Sequence, residues 1–373
     1  MKLGILCTMI NGFGRRGYYN SQEAGLGRAL AKAGHQVIIY KGISLEEKED
    51  TVVLSENLTI RYLPMRHLGA HGFFSCRLLD RDLSGLLCFS DQQIFLPHVY
   101  AFCKRNGIRF VPYVGTAHSL HGNMKSRVMD LLFSMGTLRI YKKNPVLAKT
   151  EAAREELFSL GVRDVTVVPV GLDTAVLKKD FRSYDRAKLR KKHGLLPDDV
   201  VICNVSRLSP EKRPLELLDL FQSVRGKKPF QLLIVGDGAL REAVEQKIKD
   251  LGLSHSVKLY PNVPYEDMWE IYTVSDYYLN MNRGEIFGMA IMEAVYYCTS
   301  VAASEALGPS VTLRGMKGHT MCADDKDLAA WITGPYPAME DLEESAKKME
   351  ETFTWDRCAD AFTEIVKRGR KNA

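Results

Sequence analysis

The run EIFGMAIME, residues 285–293, sets two carboxylates around seven residues that are apolar or glycine. Glutamates are rarely buried without a partner, so two of them bracketing an apolar, helix-forming run imply groups for them to hold. With a helix from residue 287 onward, Glu285 sits just before its start, where the unbonded N–H groups favour an anion. Glu293 follows eight residues later, about 12 Å along a helix axis at ~1.5 Å per residue. That is close to the span of a sugar nucleotide from its sugar to its ribose. A carboxylate accepts well from a pair of hydroxyls, so one acid for a transferred sugar and one for a ribose fit the spacing. An amphipathic helix with two capping or surface acids fits it too.

Three further stretches carry chemistry-bearing residues. SRLSPEKRP, residues 206–214, puts Arg207 at a strand's end and Lys212 five residues on, ahead of a helix. A planar fork and a point charge placed so would grip a diphosphate from two directions; the other reading is a solvated basic loop. NGFGRRG, residues 11–17, contains G-x-G-x-x-G after a first strand, with Gly12 and Gly14 leading it. The next strand, HQVIIYKG, ends in Tyr40 and Lys41 rather than in the acid that would hold the ribose of NAD. A dehydrogenase using NADP is left as a minor reading. A glycine-rich loop whose backbone approaches a phosphate or a sugar is the better one, beside a plain flexible turn. LLIVGDG, residues 232–238, brings Gly236 to a strand-to-helix turn that binds or merely packs. Asp80-Arg81-Asp82 spells D-x-D, a metal pattern in other transferases, but it lies away from these motifs and reads as surface.

These residues need a scaffold, and the order of elements supplies one. KLGILCTM, HQVIIY, GLLCFS and RFVPYVG read as short buried strands, with SQEAGLGRALAKAG a helix capped by Ser21 and ended by Gly34. A second series runs DVVICNVS, RPLELLDLFQSVR, QLLIVGDG, LREAVEQKIKDLG, VKLYPNV, DYYLNM and TSVAAS. Strand and helix alternating in this way predict parallel sheets covered by helices. The fold class is therefore α/β, two doubly wound domains with a hinge near residues 171–195 and the site at the carboxyl ends of their strands, in the cleft between them.

Length agrees, since 373 residues exceed one comfortable core. No apolar run reaches the roughly 18–20 residues of a membrane span, and MKLGILCTM is too short in its apolar part for a signal peptide, so a cytoplasmic protein is expected. The eight cysteines form no C-x-x-C pair and no zinc spacing; buried thiols are expected and no metal site. The net charge, 51 basic minus 45 acidic residues or +6, permits an anionic ligand or surface without calling for nucleic acid. MKSRVMDLLFSMGTLRIYKKN, residues 124–144, mixes basic and apolar residues. It reads as a packed helix with a basic face, or as a segment lying on an anionic membrane.

The ordered set of motifs resembles the retaining family 4 glycosyltransferases of the GT-B fold. The likeness spans nearly the whole chain and is densest where NVSRLSPEKRPLELL, LLIVGDGALR and NRGEIFGMAIMEAV follow one another. It implies an N-terminal acceptor-binding domain over residues 1–172, joined by a last helix, about 355–373, that crosses back to it. A nucleotide-sugar-binding domain occupies residues 173–354. It also implies roles. Arg207 and Lys212 match the basic pair on the donor diphosphate, Glu285 the acid at the donor sugar, and Glu293 the ribose-binding acid. Phe287, Gly288 and Met289 match the backbone beside the phosphates. His118, in GTAHSLHG, matches the N-terminal-domain histidine near the reacting sugar, with His121 close by. The sequence departs from the family after Glu293, where Tyr296 replaces a small residue, Cys298 a glycine and Ser300 a proline. The implied activity is a retaining transfer from a nucleoside-diphosphate sugar, with no cofactor or metal, to a glycan, lipid-linked or small-molecule acceptor. A bacterial-type cell-surface polysaccharide pathway is the implied setting. A nucleotide-sugar-binding protein without turnover and a sugar-nucleotide epimerase of similar fold are the other readings.

Overall fold

The computed structural model describes residues 1–8, 21–68, 71–91, 93–117 and 124–371. Its strands are β1 (Lys2–Cys7), β2 (Gln36–Ile43), β3 (Asp50–Ser55), β4 (Leu58–Pro64), β5 (Arg66–Leu68), β6 (His71–Phe73), β7 (Gly85–Phe89), β8 (Arg109–Val114), β9 (Val146–Ala148), β10 (Val165–Val167), β11 (Val200–Val205), β12 (Phe230–Val235), β13 (Val257–Tyr260), β14 (Tyr277–Asn280), β15 (Ser300–Ser304) and β16 (Thr320–Cys322). The near-continuous apolar runs in the central strands are what a sheet covered on both faces requires, and β7 is buried at every position.

The described residues divide into two units. One holds the residues up to Asp173 and again from Thr354; the other is Thr174–Phe353. The first is built on a sheet ordered β10-β9-β8-β7-β1-β2-β4-β3, parallel except for β3. The strand β1 has β2 on one side and β7 on the other, both parallel to it, so the winding order reverses there. The helix Gln22–Lys32 is capped as its sequence predicts. Ser21 accepts from the Ala24 N–H, and Gly34 past its end takes φ 81°. The last helix, Asp356–Lys371, packs on Gln22–Lys32 and β8 of this unit. Trp355, which precedes it, lies so close to Gly25 that a Cβ there would fall 2.3 Å from the indole nitrogen.

The second unit carries an all-parallel sheet ordered β13-β12-β11-β14-β15-β16. It winds one way from β11 and the other way from β14, which puts its switch point between the carboxyl ends at Val205 and Asn280. That is where an open α/β sheet leaves a crevice for a ligand. The helix Pro214–Val224 buries Leu217, Leu218, Phe221 and Val224 at helical spacing against it.

Two findings depart from the sequence reading. Residues 50–73, passed over as carrying no element, form the hairpin β3–β4 and the small ladder β5–β6. The strand β3 is an edge strand with nearly every side chain exposed, so it lacks the alternation that marks a half-buried strand. Asp80, read as surface, is half-buried and paired with Lys2 at 2.6 Å and with Arg61 at 2.5 Å, while Asp82 is exposed. The aspartate ties the start of β1 to the middle of β4.

Candidate active site

The carboxyl edge of the second sheet collects the residues singled out in the sequence. Glu285 follows β14 by five residues, and one of its oxygens, Oε2, takes three donors. Lys212 Nζ lies at 2.7 Å, Asn282 Nδ2 at 3.1 Å and Asn280 Nδ2 at 3.4 Å. The asparagines are themselves fixed. Asn280 Oδ1 accepts from the Asn282 N–H, and Asn282 Oδ1 from the Gly284 N–H, at 2.8 and 2.9 Å. Burial pushes the Glu285 carboxyl up, but the Lys212 charge and the hydrogen bonds of Lys212, Asn282 and Asn280 outweigh it and hold the group below its ordinary value. Glu285 is therefore an ionised, oriented carboxylate at neutral pH.

Lys212 reaches Glu285 from the short turn Pro210–Lys212, ahead of the helix Pro214–Val224. Arg213 between them stands at φ 54° and makes a two-pronged contact to Asp325, at 3.0 and 2.9 Å, which anchors the turn. Arg207 is half exposed and pairs with Glu211 at 3.1 Å. The expected basic pair thus has acidic company that the sequence reading did not assign, Glu285 for Lys212 and Glu211 for Arg207. Gly236 answers a packing need: a Cβ there would lie 1.8 Å from the Ser206 carbonyl oxygen, so the loops after β12 and β11 meet backbone to backbone.

The helix after Glu285 begins at Met289, two residues later than the sequence suggests, because Gly288 caps it in the left-handed region at φ 88°. Residues 285–288 form a loop, so helical rise does not set the spacing of the two acids over its full length. Phe287 is buried against Phe353, and the Gly308 N–H donates to the Glu285 carbonyl at 2.7 Å. The first-turn N–H groups at Met289 and Ala290 have no preceding turn to bond to. Glu293 is neither a cap nor a surface acid. It is buried, with Oε1 accepting from Tyr265 at 3.0 Å and Oε2 from Tyr272 at 2.9 Å. Burial and the Glu293 charge push the Tyr272 hydroxyl well up, which keeps it a donor.

In the first unit, Asp91 follows β7 at the carboxyl edge and accepts from the Gly115 and Thr116 N–H groups after β8. Its other oxygen faces Lys149 at 3.3 Å, and that ammonium lies 5.4 Å from the ring centres of both Phe89 and Tyr113. Neither residue was singled out from the sequence. Gly12, Gly14 and His118 lie outside the described residues, as do Arg15, Arg16 and His121.

Residues 185–351 match the family described as glycosyl transferases group 1. The match lies within the second unit. The D-inositol 3-phosphate glycosyltransferase of Jonesia denitrificans is 24% identical over 99% of this chain and 96% of its own length. An uncharacterized glycosyltransferase of Methanocaldococcus jannaschii is 23% identical over 92% of each. Among solved structures, sucrose-phosphate synthase from Thermosynechococcus elongatus matches with a TM-score of 0.77 at 16% identity, over all of both chains. Anabaena HepE in complex with UDP and glucose matches at 0.63 and 17%, over 100% of this chain and 99% of that one. At such identities the structural likeness is one of fold, and the fold is GT-B. The matched segment holds Arg207, Lys212, Glu285 and Glu293, and the carboxyl edge of its sheet is the candidate active site.

Proposed function

We propose that this protein transfers a sugar, with retention and without a metal, from a nucleoside-diphosphate sugar of the UDP-sugar class to a glycan, lipid-linked or small-molecule acceptor. The observation that carries the reading is the Lys212–Glu285 pair, oriented by two asparagines at the switch point of the second sheet. Glu285 spends Oε2 on its three donors, which turns Oε1 toward a sugar hydroxyl. Lys212, Arg207 and the helix start at Met289 supply positive potential for the leaving diphosphate, and that supply is the reason for writing the step without a metal. Glu293 with Tyr265 is suited to the ribose, and Phe287 and Gly288 to backbone contact with the phosphates. In the step, the bond from the anomeric carbon to the diphosphate oxygen breaks and one to the acceptor oxygen forms. The acceptor proton passes to the departing phosphate oxygen, and attack comes from the leaving-group face. His118 is assigned by resemblance to a place near the reacting sugar, and Gly12, Gly14 and Gly236 are assigned to donor binding. A cytoplasmic setting, in cell-surface polysaccharide or glycoconjugate synthesis, goes with this reading.

The test is a thermal-shift screen against UDP, GDP, ADP, their sugar conjugates and NADP. A ligand at 100 times its dissociation constant adds about 2.7 kcal/mol. Stabilisation by one nucleoside diphosphate and its conjugates, followed by glycoside release with an acceptor panel that includes inositol phosphate, is the expected result. Binding without turnover would leave a sugar-nucleotide-binding protein. A converted donor with no acceptor consumed would make it an epimerase. Stabilisation by NADP alone would overturn the reading.

A further inference from the structure

The helix Met124–Met135 leaves an apolar stripe without a partner among the described residues. Val128, Leu131, Leu132 and Met135 are 54%, 58%, 46% and 57% exposed, at the i, i+3, i+4, i+7 spacing of one helix face. The stripe runs about 10 Å along the axis. The helix is anchored elsewhere by Phe133, which is buried with its ring 5.6 Å from that of Tyr141. Asp130, the helix's one acid, is about 200° around the axis from Val128 at ~100° per residue. The segment that follows, through the short helix Thr137–Tyr141, exposes Arg139, Lys142 and Lys143. None of these three forms an ion pair among the described residues. Over residues 124–144 there are five basic residues to one acid.

We propose that this face docks on an anionic lipid surface, the stripe entering the acyl boundary and the cations meeting the headgroups. Two features choose that occupant. A second copy of the chain would set the basic segment against itself across a two-fold contact, whereas an anionic bilayer satisfies stripe and cations together. No helix among the described residues is long and apolar enough to cross a membrane, so the contact is interfacial. The inference goes beyond the donor chemistry and stands whether or not that reading holds.

The experiment is flotation of the full chain with vesicles of phosphatidylcholine, alone or mixed with phosphatidylglycerol, at low and high salt. Two variants accompany the wild type: Leu131→Gln/Leu132→Gln and Lys142→Gln/Lys143→Gln. Both change exposed side chains, and melting curves with and without UDP check that fold and nucleotide binding persist. The expected result is binding to the mixed vesicles that weakens with salt. It drops about fivefold in partitioning for each cation removed, and at least tenfold when the two leucines are replaced. Absence of wild-type flotation, equal binding to neutral vesicles, or binding that both variants keep would overturn the proposal. So would a concentration-dependent dimer that the leucine variant dissolves.

Discussion

Lys212 and Glu285, 73 residues apart in the chain, meet at 2.7 Å on the carboxyl edge of one sheet. Neither side chain has more than a fifth of its surface exposed. The ammonium keeps the carboxylate ionised, and the carboxylate holds the ammonium at the switch point of the sheet. Lys212→Ala is expected to lower turnover at least about tenfold, since one charge-assisted contact to phosphate contributes about 1.5 to 3 kcal/mol. Steady-state rates with a saturating donor check it, and unchanged turnover sinks the diphosphate assignment.

Asn282 acts through Glu285. Asn282→Ala removes one of the three donors to Oε2 and the acceptor for the Gly284 N–H, and is expected to lower kcat about five- to tenfold with a small change in melting temperature. Asn282→Asp places a second carboxylate beside the first, which raises the Glu285 pKa. The acid limb of the pH dependence of kcat/KM then moves upward in both variants, further in the aspartate one, because alanine only removes a hydrogen bond that lowers the Glu285 pKa. Wild-type profiles in both would make Asn282 a packing residue only.

The site was legible in the sequence to the extent that its chemistry sits in motifs. Arg207, Lys212, Glu285 and Glu293 announce themselves by type and spacing, and the strands that carry them are continuous apolar runs. The partners were not legible. Tyr265 and Tyr272 reach Glu293 from 28 and 21 residues upstream, and nothing in YEDMWEIY marks which tyrosines turn inward. Asn280 and Asn282 lie in LNMNRG, whose asparagines read as turn residues until the sheet brings Lys212 beside them. The helix start was displaced by two residues because a left-handed Gly288 is a backbone decision, and glycine serves helix starts, turns and close approaches alike.

Cys298 shows the reverse case, a departure from the family's residue pattern that the backbone explains. It stands at φ 58° just past the helix Met289–Tyr296, where the Cys298 N–H bonds the Val295 carbonyl and the Thr299 N–H the Ala294 carbonyl. That is the helix end which glycine most often completes. Cys298→Gly is expected to raise stability by about 0.5 to 1 kcal/mol by relieving the left-handed strain, and Cys298→Val to lower it. Chemical denaturation followed on the second unit distinguishes them. A less stable glycine variant would mean that the thiol's contact with Arg182, at 3.1 Å, outweighs the backbone term.

His319 gives the pH dependence a definite sign. Its Nδ1 accepts from the Val301 N–H at 3.0 Å, and its Nε2 is buried without a partner among the described residues. Burial drives its pKa down to about 3. The unfolded chain takes up the proton near pH ~6.5, well before the folded one does. The folded state's advantage is complete above that pH and falls as the pH drops toward 3, by up to about 1.4 kcal/mol per unit. Between pH 6.5 and 5 this one residue accounts for a loss of about 2 kcal/mol. His319→Asn offers an amide oxygen to the Val301 N–H and has no proton to gain, so its stability should fall by about 2 kcal/mol less over the same interval. Urea melts of both proteins at the two pH values measure the difference. Parallel losses would show that His319 is protonated in the folded state and that water reaches its ring.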